Sequence, residues 1–231
     1  MRLGSLCMLA MLLLLGACGS NRFQTRCEQL MTAQYAAVVT SRQNGYKVDN
    51  SRSFRILSAM HGPGNPDAFV LGLTKTESRM EVGMTGQIMQ DPMSSTECVA
   101  PKIDVSLFYN PIIIYVGSEF SPGTCAYEEI LAHEMRHLNT YLDHLPKVER
   151  TVRNAFVKRF GNQPLYAEEG TAMATLKREI DTGWMPYIKA ELVKVEKDQQ
   201  AIDTADEYAR LSRVCKGEVQ SFIGPANRTR R

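Results

Sequence analysis

The chain has 231 residues, with 27 Lys+Arg against 25 Asp+Glu and a formal charge of +2. That near balance argues against a nucleic-acid binder held by phosphate contacts and gives no basis for an acidic surface as partner. With 44% apolar residues and no repeat or low-complexity run, the chain can bury one sizeable core or two small ones, and one domain is the simpler expectation.

Arg2 and the apolar run Met8 to Leu15 read as a secretory signal, too short to span a bilayer. The following Leu15-Gly16-Ala17-Cys18 resembles the lipobox of bacterial lipoproteins. That resemblance implies cleavage before Cys18, lipidation of Cys18 and a membrane anchor; Gly19 in place of Asp points to an outer-membrane lipoprotein facing the periplasm. An ordinary signal peptide would instead give a soluble periplasmic or secreted protein. Removing residues 1–17 leaves 26 Lys+Arg against 25 Asp+Glu, and four cysteines beyond Cys18: Cys27, Cys98, Cys125 and Cys215. An even number in an exported chain predicts two disulfides with three possible connectivities. Cys98 with Cys125 is favoured, since they bracket one strand-rich segment, leaving Cys27 with Cys215.

Residues 18–29 read as a polar tether, followed by a helix from Glu28 to Ser41 with Leu30, Ala33, Ala37 and Val38 on one stripe. His61 to Asp67 carries the strongest loop signal, and His61 there is expected to be solvated. Three segments, Ala68 to Thr74, Arg79 to Met89 and Lys102 to Val116, then have the β-branched, alternating character of strands. Pro111 in the last predicts an edge, a bulge or two strands in sequence, and an edge could accept an extended peptide as an added strand.

Helical periodicity returns after Ser121-Pro122-Gly123-Thr124, and the helix should stop before Pro146. Within it stands His133-Glu134-Met135-Arg136-His137. At about 100° per residue the two histidines fall one turn apart on one face, so both imidazoles can reach one metal ion. Glu134 is then placed to take a proton from a water at the metal rather than to ligate it. His144 shares the His137 face but lies about 10 Å further along the axis, too far for the same ion. Asp143 could ligate only if the helix broke after His137. A second amphipathic helix, Lys147 to Phe160, would return the chain toward the first.

Downstream, Leu165-Tyr166-Ala167-Glu168-Glu169-Gly170-Thr171-Ala172 resembles the Trp-x-x-Glu-Gly-x-Ala segment that supplies the third zinc ligand in gluzincin metallopeptidases. The resemblance runs over about fifty residues, Thr124 to Ala174. It implies Zn²⁺ held by His133, His137 and Glu169, with Glu168 as the fallback ligand if the register is off by one, and Glu134 as the catalytic base; Asp143 is the other fallback, through a helix break as in the extended metzincin motif, which needs a glycine where Thr140 stands. Tyr166, Tyr141 and His144 are the candidates to stabilise an oxyanion. Three departures stand out: Arg136 puts a charge inside the motif helix, Asn139 is polar, and Met173 replaces an orienting Asp. Arg136 is expected to pair with an acid on a neighbouring helix, and Glu129 to orient His133. The tail from Pro186 to Cys215 reads as one long or two shorter helices without chemistry, the sole Trp184 as packing, and residues 224–231 as frayed.

The expectation is an α+β fold: a small antiparallel or mixed sheet followed by a helical half carrying the zinc-binding helix, in a single zincin-like domain over residues 30–223. Its function would be zinc-dependent hydrolysis of a peptide or protein substrate in the periplasm. The alternative is a non-catalytic zinc-binding envelope lipoprotein acting as a binding or assembly factor.

Overall fold

The structure is a computed structural model that describes residues 22–61, 69–161 and 163–223. The signal segment, Cys18 and the tail 224–231 lie outside the described residues. The fold is α+β, and its frame is set by two long elements. Strand β4 (Thr96–Val116) is the centre of a five-stranded sheet in which β1 (Ala36–Arg42) and β2 (Lys47–Asp49) flank it, and β3 (Gly72–Gln90) and β5 (Leu165–Glu168) also pair with it. The β2 pairing is parallel, Lys47 opposite Ile113, and the β5 pairing antiparallel, Cys98 opposite Tyr166, so the sheet is mixed. The alternation of Ile103, Val105 and Leu107 buries one face of β4, as the sequence predicts.

Pro111 does not make β4 an edge. The strand continues through it, and the β2 ladder starts only at Ile113, so the missing N–H falls outside that register. Of the predicted strand 68–74, Gly72 to Thr74 open the single long strand β3, which also contains all of 79–89; residue 68 lies outside the described residues, and 69–71 precede the strand.

Helix α3 (Cys125–Phe160) also outruns its prediction, passing through Pro146 and absorbing the separate helix expected over 147–160. An interior proline costs about 3 kcal/mol. Against that, Leu138, Leu145, Val148, Val152, Phe156 and Phe160 are all essentially buried along the helix. Each contributes about 1.5–3 kcal/mol, so the continuous apolar stripe outweighs the lost bond. Residues 22–34, read in part as tether, form helix α1, which buries Phe23 and Cys27. Ala36 to Val39 leave the helix for β1, where β-branched Val38, Val39 and Thr40 are at ease.

Two compact units divide the chain. The first takes the residues up to Thr40 with Glu81–Ser106 and Glu149–Ile188. In it Phe23, Cys27 and Leu30 pack with Cys98 and Met89, and a disulfide joins Cys27 to Cys98. Trp184 stacks on Phe156 with ring centroids 4.1 Å apart, the packing role expected of it. After β5, Glu169-Gly170 makes a turn, with Gly170 at φ +79°, into α4 (Ala172–Glu179). Buried Glu97 accepts the Ala172 N–H at 2.6 Å, a bond that holds its carboxyl below the usual range.

The second unit takes Ser41–Met80, Leu107–Val148 and the chain from Lys189. It contains helix α2 (Phe54–His61) and, after α5 (Met185–Val193), which ends within it, three short helices: α6 (Val195–Gln200), α7 (Ala205–Arg213) and α8 (Glu218–Ile223). Val116, Phe120, Tyr127, Ile130 and Val219 form its core beside the start of α3. A second disulfide, Cys125–Cys215, links the first residue of α3 to the segment after α7.

These pairings replace the favoured Cys98–Cys125 and Cys27–Cys215. From Cys98 to Val116 the strand has a contour of roughly 60 Å, while the nine residues from there to Cys125 reach only about 30 Å.

Candidate metal centre

Helix geometry brings the motif together as its spacing requires. His133 and His137 sit one turn apart on α3, 4% and 8% exposed, with their Nε2 atoms 3.2 Å apart. A carboxylate completes the group: Asp203 Oδ1 lies 3.2 Å from each Nε2. These are the ligand atoms of a His-His-Asp group that can hold a metal ion. Asp203 stands in the turn between α6 and α7, where Ile202 to Thr204 interrupt the helices. The interruption is locally encoded, since Thr204 caps α7 by accepting the Glu207 N–H at 3.2 Å.

In His137 the outer ring nitrogen fixes what the inner one offers. Gln199 Nε2 donates to the His137 carbonyl at 3.1 Å, so its amide oxygen faces His137 Nδ1 at 2.6 Å, and that nitrogen must carry the proton. His137 Nε2 is therefore a lone pair. His133 Nδ1 lies between an acceptor and a donor, 3.2 Å from Glu207 Oε1 and 2.8 Å from Arg136 Nη2, and its Nε2 faces the other two atoms of the group. The His137 lone pair and the Asp203 carboxylate oxygen thus converge with His133 Nε2, an arrangement that a shared proton or a bound metal cation satisfies. In a tetrahedral zinc site with bonds of about 2.0–2.1 Å, neighbouring ligand atoms are about 3.3 Å apart, close to the spacing here.

Comparison of the chain with family models, curated proteins and solved structures finds no match.

Charge around the site follows the same logic. Burial pulls the His137 pKa down, but the Asp203 bond and the nearby Glu134 charge outweigh it, and the net shift is upward. Burial would raise Asp203, yet its contacts with His133 and His137 hold it well below the usual carboxylate range. Burial pushes Glu134 up, opposed by the charge it shares a site with on His137 and His133 and by a bond from Thr74 Oγ1 at 2.9 Å. Thr74 Oγ1 also lies 3.1 Å from the Glu134 carbonyl, pinning the start of β3 to the motif helix. That approach needs Gly72, because a Cβ there would lie 2.7 Å from Glu134 Oε1.

Arg136 pairs with Glu207, as an acid on a neighbouring helix was expected to do. Glu207 also binds Arg210, whose guanidinium, with His133 and Arg136, lowers its pKa to about 2. Glu129 does not orient His133; it pairs with Arg210 at 2.7 Å. The carboxylate at His133 Nδ1 is Glu207.

Several predicted site residues have other places. Glu168 and Glu169 are exposed in the first unit, where the Glu169 N–H donates to the Ser95 carbonyl, and the carboxylate at the two histidines is Asp203 instead. Asp143 points outward because α3 does not break after His137. His144 is buried and bonds the Glu191 carbonyl at 3.0 Å. Tyr166 is 41% exposed on β5 and packs edge-on to Phe23. Tyr141 does line the cavity at the histidines, a space of about 610 Å³, as does His61. Tyr208, which sequence reasoning passed over, lines it too; burial first, then Asp203, pushes its pKa up to about 12.

The tail read as featureless helix thus supplies Gln199, Asp203, Glu207 and Tyr208. One signal marks it: Thr204-x-x-Glu207 has capping-box spacing, which predicts a helix start and so a break where Asp203 sits.

Proposed function

We propose that the chain is a zinc-dependent peptidase of the bacterial envelope, exported and anchored through Cys18, acting on peptides or proteins in the periplasm. One observation carries the reading: His133 Nε2, His137 Nε2 and Asp203 Oδ1 form a triangle of possible ligand atoms 3.2 Å on each edge, with the Glu134 carboxylate buried beside the two imidazoles. Two nitrogens and one oxygen suit zinc, and three protein ligands leave a position open, as in catalytic rather than structural zinc sites. Two disulfides suit an oxidising compartment. No helix among the described residues is long and apolar enough to cross a membrane.

Zinc bound there would lower the pKa of a coordinated water to about 7 and polarise a scissile carbonyl. Glu134 takes the proton of the attacking water and returns it to the leaving amine nitrogen. Its burial supports both halves of that transfer, because a raised carboxyl pKa brings the group nearer the working pH. Thr74 fixes the direction of that carboxylate. Tyr208, still protonated at neutral pH with a pKa of about 12, can donate its phenolic hydrogen to the developing oxyanion.

The test is metal content and turnover together. Purified protein should contain one zinc per chain, and Glu134→Gln should keep that zinc while peptide hydrolysis falls by about 10²–10⁴-fold. Protein without stoichiometric zinc would overturn the site. Zinc binding with no hydrolysis to lose would leave a metal-binding envelope protein.

A further inference from the structure

Next to the metal centre, one helical turn away, a second layer of side chains repeats the pattern of the first. Tyr141 follows His137 by four residues on α3, and Glu196 precedes Gln199 by three on α6. Such spacings put each pair on one helix face with Cβ atoms about 5–6 Å apart. The His137–Gln199 contact is therefore flanked by Tyr141 and Glu196. Both residues line the cavity at the histidines, and both also line an adjoining cavity of about 390 Å³. The two spaces share this wall.

The adjoining cavity is built for a particular shape and charge. Tyr109 packs edge-on to Tyr141 with centroids 4.8 Å apart, and its hydroxyl donates to the Leu192 carbonyl at 3.3 Å, so both rings are held. Leu192 and Val193 add apolar wall, and Thr76 brings a buried hydroxyl that has no hydrogen-bond partner among the described residues. The lining includes two carboxylates and no lysine or arginine. Glu77 is neutralised by Arg79 at 2.7 Å. Glu196 is exposed and forms no ion pair among the described residues. Its field reaches the rings: after burial, the Glu196 charge is among the causes that raise the pKa of both Tyr109 and Tyr141.

A carboxylate without an ion pair, lining one cavity with two fixed aromatic rings and an apolar wall, matches a long side chain that carries a cation at its end. Its methylenes would lie along Leu192 and Val193 and its charge would meet Glu196 and the rings. We propose, resting on the peptidase reading above, that Glu196 makes this cavity a subsite for a lysine or arginine side chain of the substrate. One turn of α3 is about 5.4 Å and an extended peptide advances about 3.3 Å per residue, so the cationic residue lies within two positions of the scissile bond.

The experiment profiles the zinc-loaded wild-type protein on a peptide library randomised at the positions flanking the cut. Lysine and arginine should be enriched at least tenfold over glutamate at one of those positions, and the enrichment should shrink as salt is raised. Glu196→Gln should lose most of that preference while cleaving a peptide with a neutral residue there within about twofold of wild type, and Glu196→Lys should reverse it toward acidic residues. Both variants alter an exposed side chain, and unchanged thermal unfolding would confirm that the fold is kept. Cleavage without enrichment, or enrichment that survives in Glu196→Gln, overturns the subsite and leaves the peptidase reading standing. Absence of cleavage of any library peptide by the zinc-loaded protein overturns both.

Discussion

His137 and Gln199 hold each other twice: the imidazole Nδ1–H meets the amide oxygen at 2.6 Å, and the amide nitrogen donates to the His137 carbonyl at 3.1 Å. The double contact fixes ring orientation and tautomer together, leaving Nε2 free to ligate. Outer partners of this kind are typically worth about 10–100-fold in metal affinity. Gln199→Ala should therefore weaken zinc binding by about that factor, read by competition with a chromophoric chelator. An unchanged affinity would mean that the ring needs no such support.

Asp203 and Glu169 separate two accounts of the third ligand. Asp203→Ala removes one corner of the ligand triangle and should cost more zinc affinity than Gln199→Ala, with zinc retained poorly through dialysis. Glu169→Ala changes an exposed turn residue and should leave both zinc content and thermal stability within about 0.5 kcal/mol of wild type. The opposite ranking would restore Glu169.

The pH dependence of zinc stabilisation has a definite sign. The folded His137 pKa lies above its ordinary value of 6.5, the Asp203 bond and the Glu134 charge overcoming burial. In the metal-free protein the resulting stability is fully present below the unfolded value and is lost as pH rises through the folded one. Zinc needs the neutral ring and displaces that proton, so its stabilisation grows with pH. The difference in Tm between zinc-loaded and metal-free protein should be larger at about pH 8 than at about pH 5.5. Scanning calorimetry at both values checks it, and a difference that shrinks with rising pH would contradict proton displacement.

Gly72 is the point where β3 meets the base. A Cβ there would lie 2.7 Å from Glu134 Oε1 and 2.8 Å from Ile130 Cγ2, so the strand or the carboxylate must move. Gly72→Ala should cost about 1–3 kcal/mol of stability through overpacking. It should also lower hydrolysis while leaving zinc content intact, because the three atoms nearest the new methyl belong to Glu134 and Ile130 and not to a ligand histidine. Thermal unfolding, turnover and metal analysis on the same sample check all three parts.

By itself the sequence determined what short-range periodicity can encode. His133, Glu134 and His137 fall on one face because 3.6 residues make a turn, and the alternation of Ile103, Val105 and Leu107 sets the buried face of β4. The motif helix, the α+β class and the use of four cysteines in two disulfides were readable for that reason. Tertiary structure decided whatever depends on which distant segments pack together. Asp203 lies 66 residues beyond His137 and Gln199 lies 62 beyond it, and no local spacing ties either to the motif. The loose likeness around Glu169 instead belongs to a turn shaped by Gly170 and by Glu97 bonding the start of α4. Pro111 and Pro146 show the same division. Each is a local breaker, and each is carried inside a long element because the buried side chains on both sides of it contribute more than one missing N–H costs.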